Sequence, residues 1–234
     1  MADSAPNAPG VHLASETVSD YYENWRPELV ALVPGDARTV LDVGCGNGAL
    51  GDAVKRRQAA NVIGLELVPE AAAAAEQRLD RVLRVDLDEV TELPLERGSV
   101  DAALFGDVLE HLRDPHRLMR VIRPYLADDG VVVCSVPNIK HWHVVGRLLV
   151  EDRFEYQQAG LLDRTHVHMF TLTELENMLE ETGFEATHLD TLDISMPPDY
   201  RIMGEVVAWF GGDVAETIAR LEAYQYIVAA RLAR

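Results

Sequence analysis

Short apolar runs alternate along this chain with longer stretches in which apolar positions recur at helical spacing. The runs "TVLDV" (39–43), "NVIGLEL" (61–67), "RVLRVD" (81–86), "SVDAALF" (99–105) and "DGVVVCSVP" (129–137) predict strands, the last opening at an Asp-Gly turn. Between them, "GALGDAVKRRQ" (48–58), the alanine-rich "PEAAAAAEQRL" (69–79) and "DPHRLMRVIRPYL" (114–126) predict helices. Pro69 suits a first helical turn, and Leu118, Val121, Ile122 and Leu126 mark one apolar face. Strand–helix alternation at this spacing implies parallel strands, right-handed crossovers and helices on both faces of the sheet. An amphipathic helix over 15–34 precedes the first strand.

Residues 138–170 break this rhythm. The segment is rich in aromatic residues and histidine and has no clean periodicity. Regularity returns with "TLTELENMLEETGF", where Thr171 and Glu174 fit a capping box and Gly183 a helix stop. A strand near 184–192, a loop at "MPPDY", a helix around 212–222 and a final strand "AYQYIVAARLA" complete the pattern. Residues 1–14 read as a disordered tail and 15–234 as a single domain, with no internal repeat and no interdomain linker.

Composition narrows the partners. The 234 residues suffice to bury a sheet on both faces, and 48% hydrophobic with 26% charged residues is ordinary for a globular domain. The 21 basic and 39 acidic residues give a formal charge of -18, a field that repels phosphate backbones and anionic lipid. No nucleic acid and no membrane are therefore expected as partners, and the assembly expected is a monomer or homodimer. Cys45 and Cys134 offer neither a disulfide framework nor a zinc spacing. The N-terminus lacks a secretory pattern, so the expected compartment is the cytoplasm.

The candidate chemistry begins at "TVLDVGCGNGALG" (39–51), a strand followed by a glycine-rich turn and a helix. Such a turn lets backbone approach a ligand beside a partly positive helix N-terminus. Gly46, Gly48 and Gly51 match the dinucleotide pattern G-x-G-x-x-G, while Asp42, Gly44, Gly46 and Gly48 give D-x-G-x-G-x-G. Asp42 separates the readings. A carboxylate there disfavours a pyrophosphate and tolerates a ligand carrying an ammonium and a sulfonium. It also suits a purely local role, accepting hydrogen bonds from the loop.

"VLDVGCGNGALG" resembles the first motif of class I S-adenosylmethionine-dependent methyltransferases, and the resemblance continues in order through "VIGLEL", "LRVDLDEV" and "VDAALFGDVLEHLRDPHRLMRVIRPYLADDGVVVCSVPN". It covers about residues 20–190 and runs toward the ubiquinone-type and natural-product O-methyltransferases, a group that also includes N-methylating members. It implies an α/β, Rossmann-like seven-stranded sheet of order 3-2-1-4-5-7-6, mostly parallel with an antiparallel last strand. It implies S-adenosylmethionine as cofactor, held by Asp42, Gly44, Cys45 and Gly46 of the turn. Glu66 would hold the ribose hydroxyls, with Leu67 beside it, and Asp86 and Leu87 would contact adenine. Gly106 closes the set at the end of the fourth strand. Apart from the resemblance, Tyr21, Tyr22 and Trp25 on the N-terminal helix are candidates for a lid over the cofactor, although an aromatic run at helical spacing is more often core.

The same resemblance makes 138–170 the segment that selects the acceptor, a small molecule methylated on a hydroxyl, such as a sugar, a polyketide or a similar secondary metabolite. In "FGDVLEHL", Asp107, Glu110 and His111 share a face if helical, and related enzymes place a histidine here that reaches the acceptor. In "LLDRTHVHMFT", His166 is the second candidate, with Asp163 placed to orient it. His111 and His166 are thus the two candidates for the base, placed to flank one acceptor from opposite sides, one as base and one as orienting partner, with Asp107 the remaining catalytic candidate; Glu110 and His111 equally suit capping and bracing the loop. His141 and His143, around Trp142, read as packing or surface groups. No recognised ligand spacing predicts a metal. The rival readings are a nicotinamide-dependent oxidoreductase and a cofactor-binding module without catalysis.

Overall fold

The computed structural model describes residues 26–233. Its elements are α1 (Pro27–Leu32), β1 (Thr39–Val43), α2 (Ala49–Arg57), β2 (Asn61–Glu66), α3 (Pro69–Ala75), β3 (Arg81–Arg84) and β4 (Val100–Gly106). After these come α4 (Pro115–Ile122), β5 (Leu126–Pro137), α5 (Trp142–Glu151), α6 (Leu172–Glu181), β6 (Phe184–Asp193), α7 (Ile202–Trp209), α8 (Val214–Glu222) and β7 (Ala223–Leu232). The sheet has seven strands in the order β3-β2-β1-β4-β5-β7-β6. Every pairing is parallel except those of β7, which is antiparallel to β5 and to β6.

Alternation along each strand builds two cores. Leu41, Ala103, Val132 and Val228 face α4 and α6, where Leu118, Met119, Leu175 and Met178 are buried. Their neighbours Val40, Ala102, Val133 and Ile227 face α1 and α2, against Leu29, Val30, Leu50 and Val54. A sheet buried on both faces needs apolar residues at consecutive positions, which is why its strands read as unbroken apolar runs. The chain leaves β1 toward β2 and β3, then returns to β4 on the other side of β1. That reversal opens a crevice at the carboxyl ends of the central strands.

The predicted elements differ from the observed ones at three places. β5 starts at Leu126, so the Asp-Gly pair lies within the strand, where its register with β4 shifts between Val100 and Ala102. A side chain at Gly130 would lie 2.9 Å from the Ala127 carbonyl oxygen, as expected at a bulge. Within the irregular segment, α5 forms behind an unusual cap: the His141 ring Nδ1 accepts the His143 N–H at 3.3 Å. α7 was not predicted, because "IMGEVVAW" is apolar nearly throughout and shows no stripe. The capping box is formed, with Thr171 Oγ1 accepting the Glu174 N–H at 3.4 Å and donating to the Glu174 carboxylate. Of the helix expected over 15–34, only its last part falls within the described residues. Among the described residues no helix is long and apolar enough to cross a membrane.

Candidate functional site

β1 ends in a turn where Gly44, Gly46 and Gly48 have φ of 66°, 53° and 82°, a left-handed conformation that side-chain-bearing residues rarely adopt. Gly48 caps α2 but has no side chain to accept the helix's first N–H groups. Asp42 reaches across from β1 instead, and its Oδ2 accepts the Gly51 N–H at 2.9 Å. Only 2% exposed, Asp42 has its carboxyl pushed up to about 7 by burial; the Gly51 bond opposes the rise and the charge of Glu66 adds to it. A side chain at Gly51 would lie 2.8 Å from Leu79 and Val62 and 2.9 Å from Asp42, so glycine here lets α2 sit against the sheet. Asp42 is thus a cap inside the fold. Its charge cannot by itself distinguish a sulfonium from a pyrophosphate, as the sequence argument had it.

Glu66, at the end of β2, ties the turn to the next loop. Its Oε2 accepts the Gly46 N–H at 2.9 Å and its Oε1 the Val68 N–H at 2.7 Å. Each oxygen keeps a lone pair for a further donor. Beyond β3, Asp86 turns the chain by accepting the Asp88 N–H at 2.9 Å. These groups line one cleft of about 720 Å³ at the carboxyl ends of the strands. Asp42, Glu66, Asp86, Asp88, Asp107 and Asp163 line it, with Arg26 the one basic side chain among the described lining residues other than His111. That imbalance suits a cationic ligand and disfavours a pyrophosphate. It carries the discrimination that Asp42 alone cannot.

The opposite wall begins where β4 ends. Asp107 has φ of 55°, an uncommon conformation for a residue with a side chain. It is held there on all sides. Its N–H donates to Ser135 Oγ at 3.1 Å; Oδ1 accepts from Ser135 Oγ and from Gln225 Nε2, each at 2.9 Å; Oδ2 pairs with the buried Arg26 guanidinium. A single 3-10 turn (Leu109–His111) follows, so Asp107 lies outside it and the three residues do not form one helical face.

Glu110 is only 1% exposed, and its Oε2 has no hydrogen-bond partner. Burial raises its carboxyl well above the ordinary range and the charge of Asp107 adds to this, while Arg26 acts the other way. Its backbone carbonyl accepts the N–H groups of Val167 (2.9 Å) and His168 (3.0 Å), which draws the covering segment onto the β4 exit. Beside it the His111 and His166 rings meet edge-to-face with centroids 4.9 Å apart. His111 Nδ1 lies 3.2 Å from the Thr165 carbonyl oxygen, and His166 Nδ1 lies 3.2 Å from that of Leu161. A carbonyl can only accept, so both Nδ1 atoms carry hydrogen and both Nε2 atoms of the neutral rings carry the lone pair. Burial, reinforced by His111, lowers the pKa of His166 and favours its neutral form.

The comparisons with known proteins meet this geometry. The profile of a methyltransferase domain family matches residues 16–189. The chain belongs to this methyltransferase domain family. Among its relatives, the ubiquinone biosynthesis O-methyltransferase of Psychrobacter arcticus is 31% identical over 174 residues, covering 69% of this chain and 63% of that protein. A Mycolicibacterium smegmatis protein described as an S-adenosylmethionine-dependent methyltransferase is also 31% identical, over 76% of this chain and 62% of its own length. The chain therefore spans less than two thirds of either relative. Among solved structures, an S-adenosylmethionine-dependent methyltransferase from Mesorhizobium loti superposes with a TM-score of 0.59 at 23% identity, covering 88% of this chain and 96% of that one.

Within this methyltransferase domain, Asp42, Gly44, Cys45, Gly46, Glu66, Leu67, Asp86, Leu87, Gly106, Asp107 and His111 all line the one cleft. His166 does not line it and reaches it through His111. The two imidazoles are neighbours on one side, not opposed across an acceptor. Asp163 orients neither ring, since its Oδ1 is taken by the Thr165 N–H (2.8 Å) and hydroxyl (2.6 Å). Tyr21, Tyr22 and Trp25 lie outside the described residues. His141 packs between Trp142 and Tyr224, at 5.2 and 5.4 Å, and its pKa falls to about 4 through burial, with His143 contributing. Burial also drives both thiols up, Cys134 to about 12, so neither is a nucleophile at neutral pH.

Arg26, Gln158, Ala159 and Thr165 were not identified from sequence, although all line the cleft. Arg26 carries no motif. Of the others, only their place in the aperiodic segment was a signal.

Proposed function

We propose that this domain transfers the methyl group of S-adenosylmethionine to a hydroxyl oxygen of a small metabolite. The observation that carries the reading is one cleft with two chemically different walls. Gly46, Glu66 and Asp86 stand on one side and the His111–His166 pair on the other, under the segment from Gln158 to Thr165. Its volume of about 720 Å³ lies within the usual range of ligand clefts.

When bound, S-adenosylmethionine supplies a methyl carbon on a sulfonium and leaves as the neutral thioether S-adenosylhomocysteine. The chain's own residues then have three tasks. Glu66, whose oxygens accept the Gly46 and Val68 N–H groups, would hold the ribose hydroxyls on its remaining lone pairs, and Asp86 with the Leu87 N–H would hold the adenine edge. The left-handed glycines of the turn let the backbone close on the cofactor without side chains in the way. Alignment of acceptor and methyl group is worth up to about 7–11 kcal/mol of the barrier.

The remaining task is proton removal. The acceptor oxygen forms the new C–O bond with its lone pair, the methyl–sulfur pair stays on sulfur, and the hydroxyl proton must leave. The His111–His166 corner is where that proton is lost. An amine acceptor arriving neutral would need no such corner, which is the reason for preferring oxygen over nitrogen. The test is a panel of hydroxylated and amine-bearing metabolites, assayed for S-adenosylhomocysteine release together with product mass. Methylated hydroxyl products support the reading. Binding of the cofactor with no turnover on any acceptor points to a binding module, and turnover confined to amines to an N-methyltransferase.

A further inference from the structure

Glu110 poses a problem that the methyl-transfer reading leaves unsolved. Its carboxylate is 1% exposed and Oε2 touches no donor. A buried polar group without a partner is costly, and a buried charge more so, unless a counter-charge or hydrogen bond is supplied. Arg26, the cation of this wall, is held by the carboxylates of Asp107 and Glu28 and by Gln225 Oε1 at 3.1 Å. Close to Glu110 lie the two imidazoles. One ligand atom each from Glu110, His111 and His166 lies within 4.8 Å of the other two.

We propose that Glu110, His111 and His166 form a binding site for one divalent transition-metal cation at the acceptor end of the cleft. Two imidazoles and one carboxylate, with the remaining positions open, form a donor set characteristic of zinc, iron and related ions, and too nitrogen-rich for magnesium or calcium. The outer contacts agree. A ligating histidine commonly donates its second ring nitrogen to a backbone carbonyl, which fixes the tautomer and aims the other nitrogen at the ion. Both rings do so here, toward Thr165 and Leu161. The neighbouring carboxylates of Asp107 and Asp163 add a negative field, with Arg26 offsetting part of it. Ligand atoms about 2.1 Å from such an ion sit about 3 Å apart, so the set must close slightly through side-chain rotation.

The binding claim stands on this geometry alone; what the ion does for the reaction rests on the oxygen-acceptor reading above. Beside the acceptor it would lower the pKa of a coordinated hydroxyl, whose proton then passes to solvent, with the imidazoles acting as ligands. Sequence spacing gave no hint of this, because Glu110 and His111 are adjacent while His166 arrives on the covering segment.

The experiment uses chelator-stripped protein titrated with Co2+ by visible absorption and with Zn2+ by calorimetry, Mg2+ serving as the contrast. One ion per chain is expected, with a coordinated-cobalt spectrum. His111→Ala and His166→Ala should each weaken binding by about a hundredfold, at or beyond the upper range for losing a supporting contact. Glu110→Gln should do the same, and if that buried variant fails to fold, the two histidine variants decide. Absence of a saturable site, or affinity unchanged in the histidine variants, overturns the proposal. Full methyl transfer by stripped protein that binds no Co2+ overturns the metal site and leaves the methyltransferase reading intact. An ion bound through these residues in a protein that methylates nothing supports the site and removes that reading.

Discussion

On the β1–β2 wall of the cleft, the residues that meet are near one another in the chain, and backbone does most of the work. Gly46 and Glu66 are 20 positions apart, and Glu66 is held by two N–H groups, of Gly46 and Val68. On the β4 wall the groups that meet come from distant segments, and side chains do the work. His111 bonds to the carbonyl of Thr165, 54 positions away, and Asp107 to Gln225, 118 positions away. The first wall stays fixed as long as β1 and β2 pair. The second depends on how the segment from α5 to α6 lies over the sheet. Under the proposed function the contrast would match two tasks: a cofactor of constant shape needs a rigid cradle, while an acceptor would be selected by a covering segment that can vary without disturbing the sheet.

The comparison can be broken most sharply at the histidines. His111→Ala and His166→Ala should each lower kcat about a hundredfold or more on an identified hydroxyl acceptor, leaving cofactor affinity within a fewfold. Equal losses in both variants would mark the pair as one unit. If kcat stays within a fewfold of the parent in both, the β4 wall is not where the proton is lost.

Glu66 tests the other wall. Because it joins the turn to the Val68 loop, Glu66→Ala should weaken S-adenosylhomocysteine binding about ten- to a hundredfold, with a stability loss of about 1–2 kcal/mol in the apo protein. Its two N–H partners give the reason to expect that stability loss. Calorimetry and thermal melts read the two effects separately, and unchanged affinity would remove Glu66 from the cofactor site.

Asp107→Asn should cost up to about 3 kcal/mol in stability, since it removes one of the two carboxylates paired with the buried Arg26 and leaves only Glu28. Its kcat should fall only a fewfold, because both carboxylate oxygens already have partners and neither is placed to take a proton. A collapse of kcat at full cofactor occupancy would restore Asp107 as the base.

At pH 5 the smallest effect belongs to Asp42. Its carboxyl, raised by burial to about 7 in the folded state, keeps its proton where the unfolded chain has lost it. This contribution is therefore complete at low pH and declines as pH rises from about 4 to about 7. Asp42→Asn retains an acceptor for the Gly51 N–H and removes the decline, gaining about 1 kcal/mol over the parent at pH 5 and more toward neutrality. Parallel denaturant midpoints for parent and variant across that range would show that Asp42 ionises normally.

The sequence by itself determined the layered sheet and the cradle. β1 and β2 were located by their apolar runs, the turn by Gly44, Gly46 and Gly48, and Glu66 by its place at a strand end; each signal is local, set by backbone geometry and by burial on two faces. The resemblance to the methyltransferases supplied the strand order, which periodicity cannot, since strand pairing is a long-range choice. Only the tertiary structure decided the β4 wall. It turned Asp107 away from the helical face, left Glu110 buried beside two imidazoles, and set His166 against His111 instead of across the cleft. It also decided that Asp42 is a helix cap, because a carboxylate inside a strand shows nothing in sequence of the N–H that will reach it. Contacts between remote segments depend on packing of the whole domain, and no local periodicity encodes them.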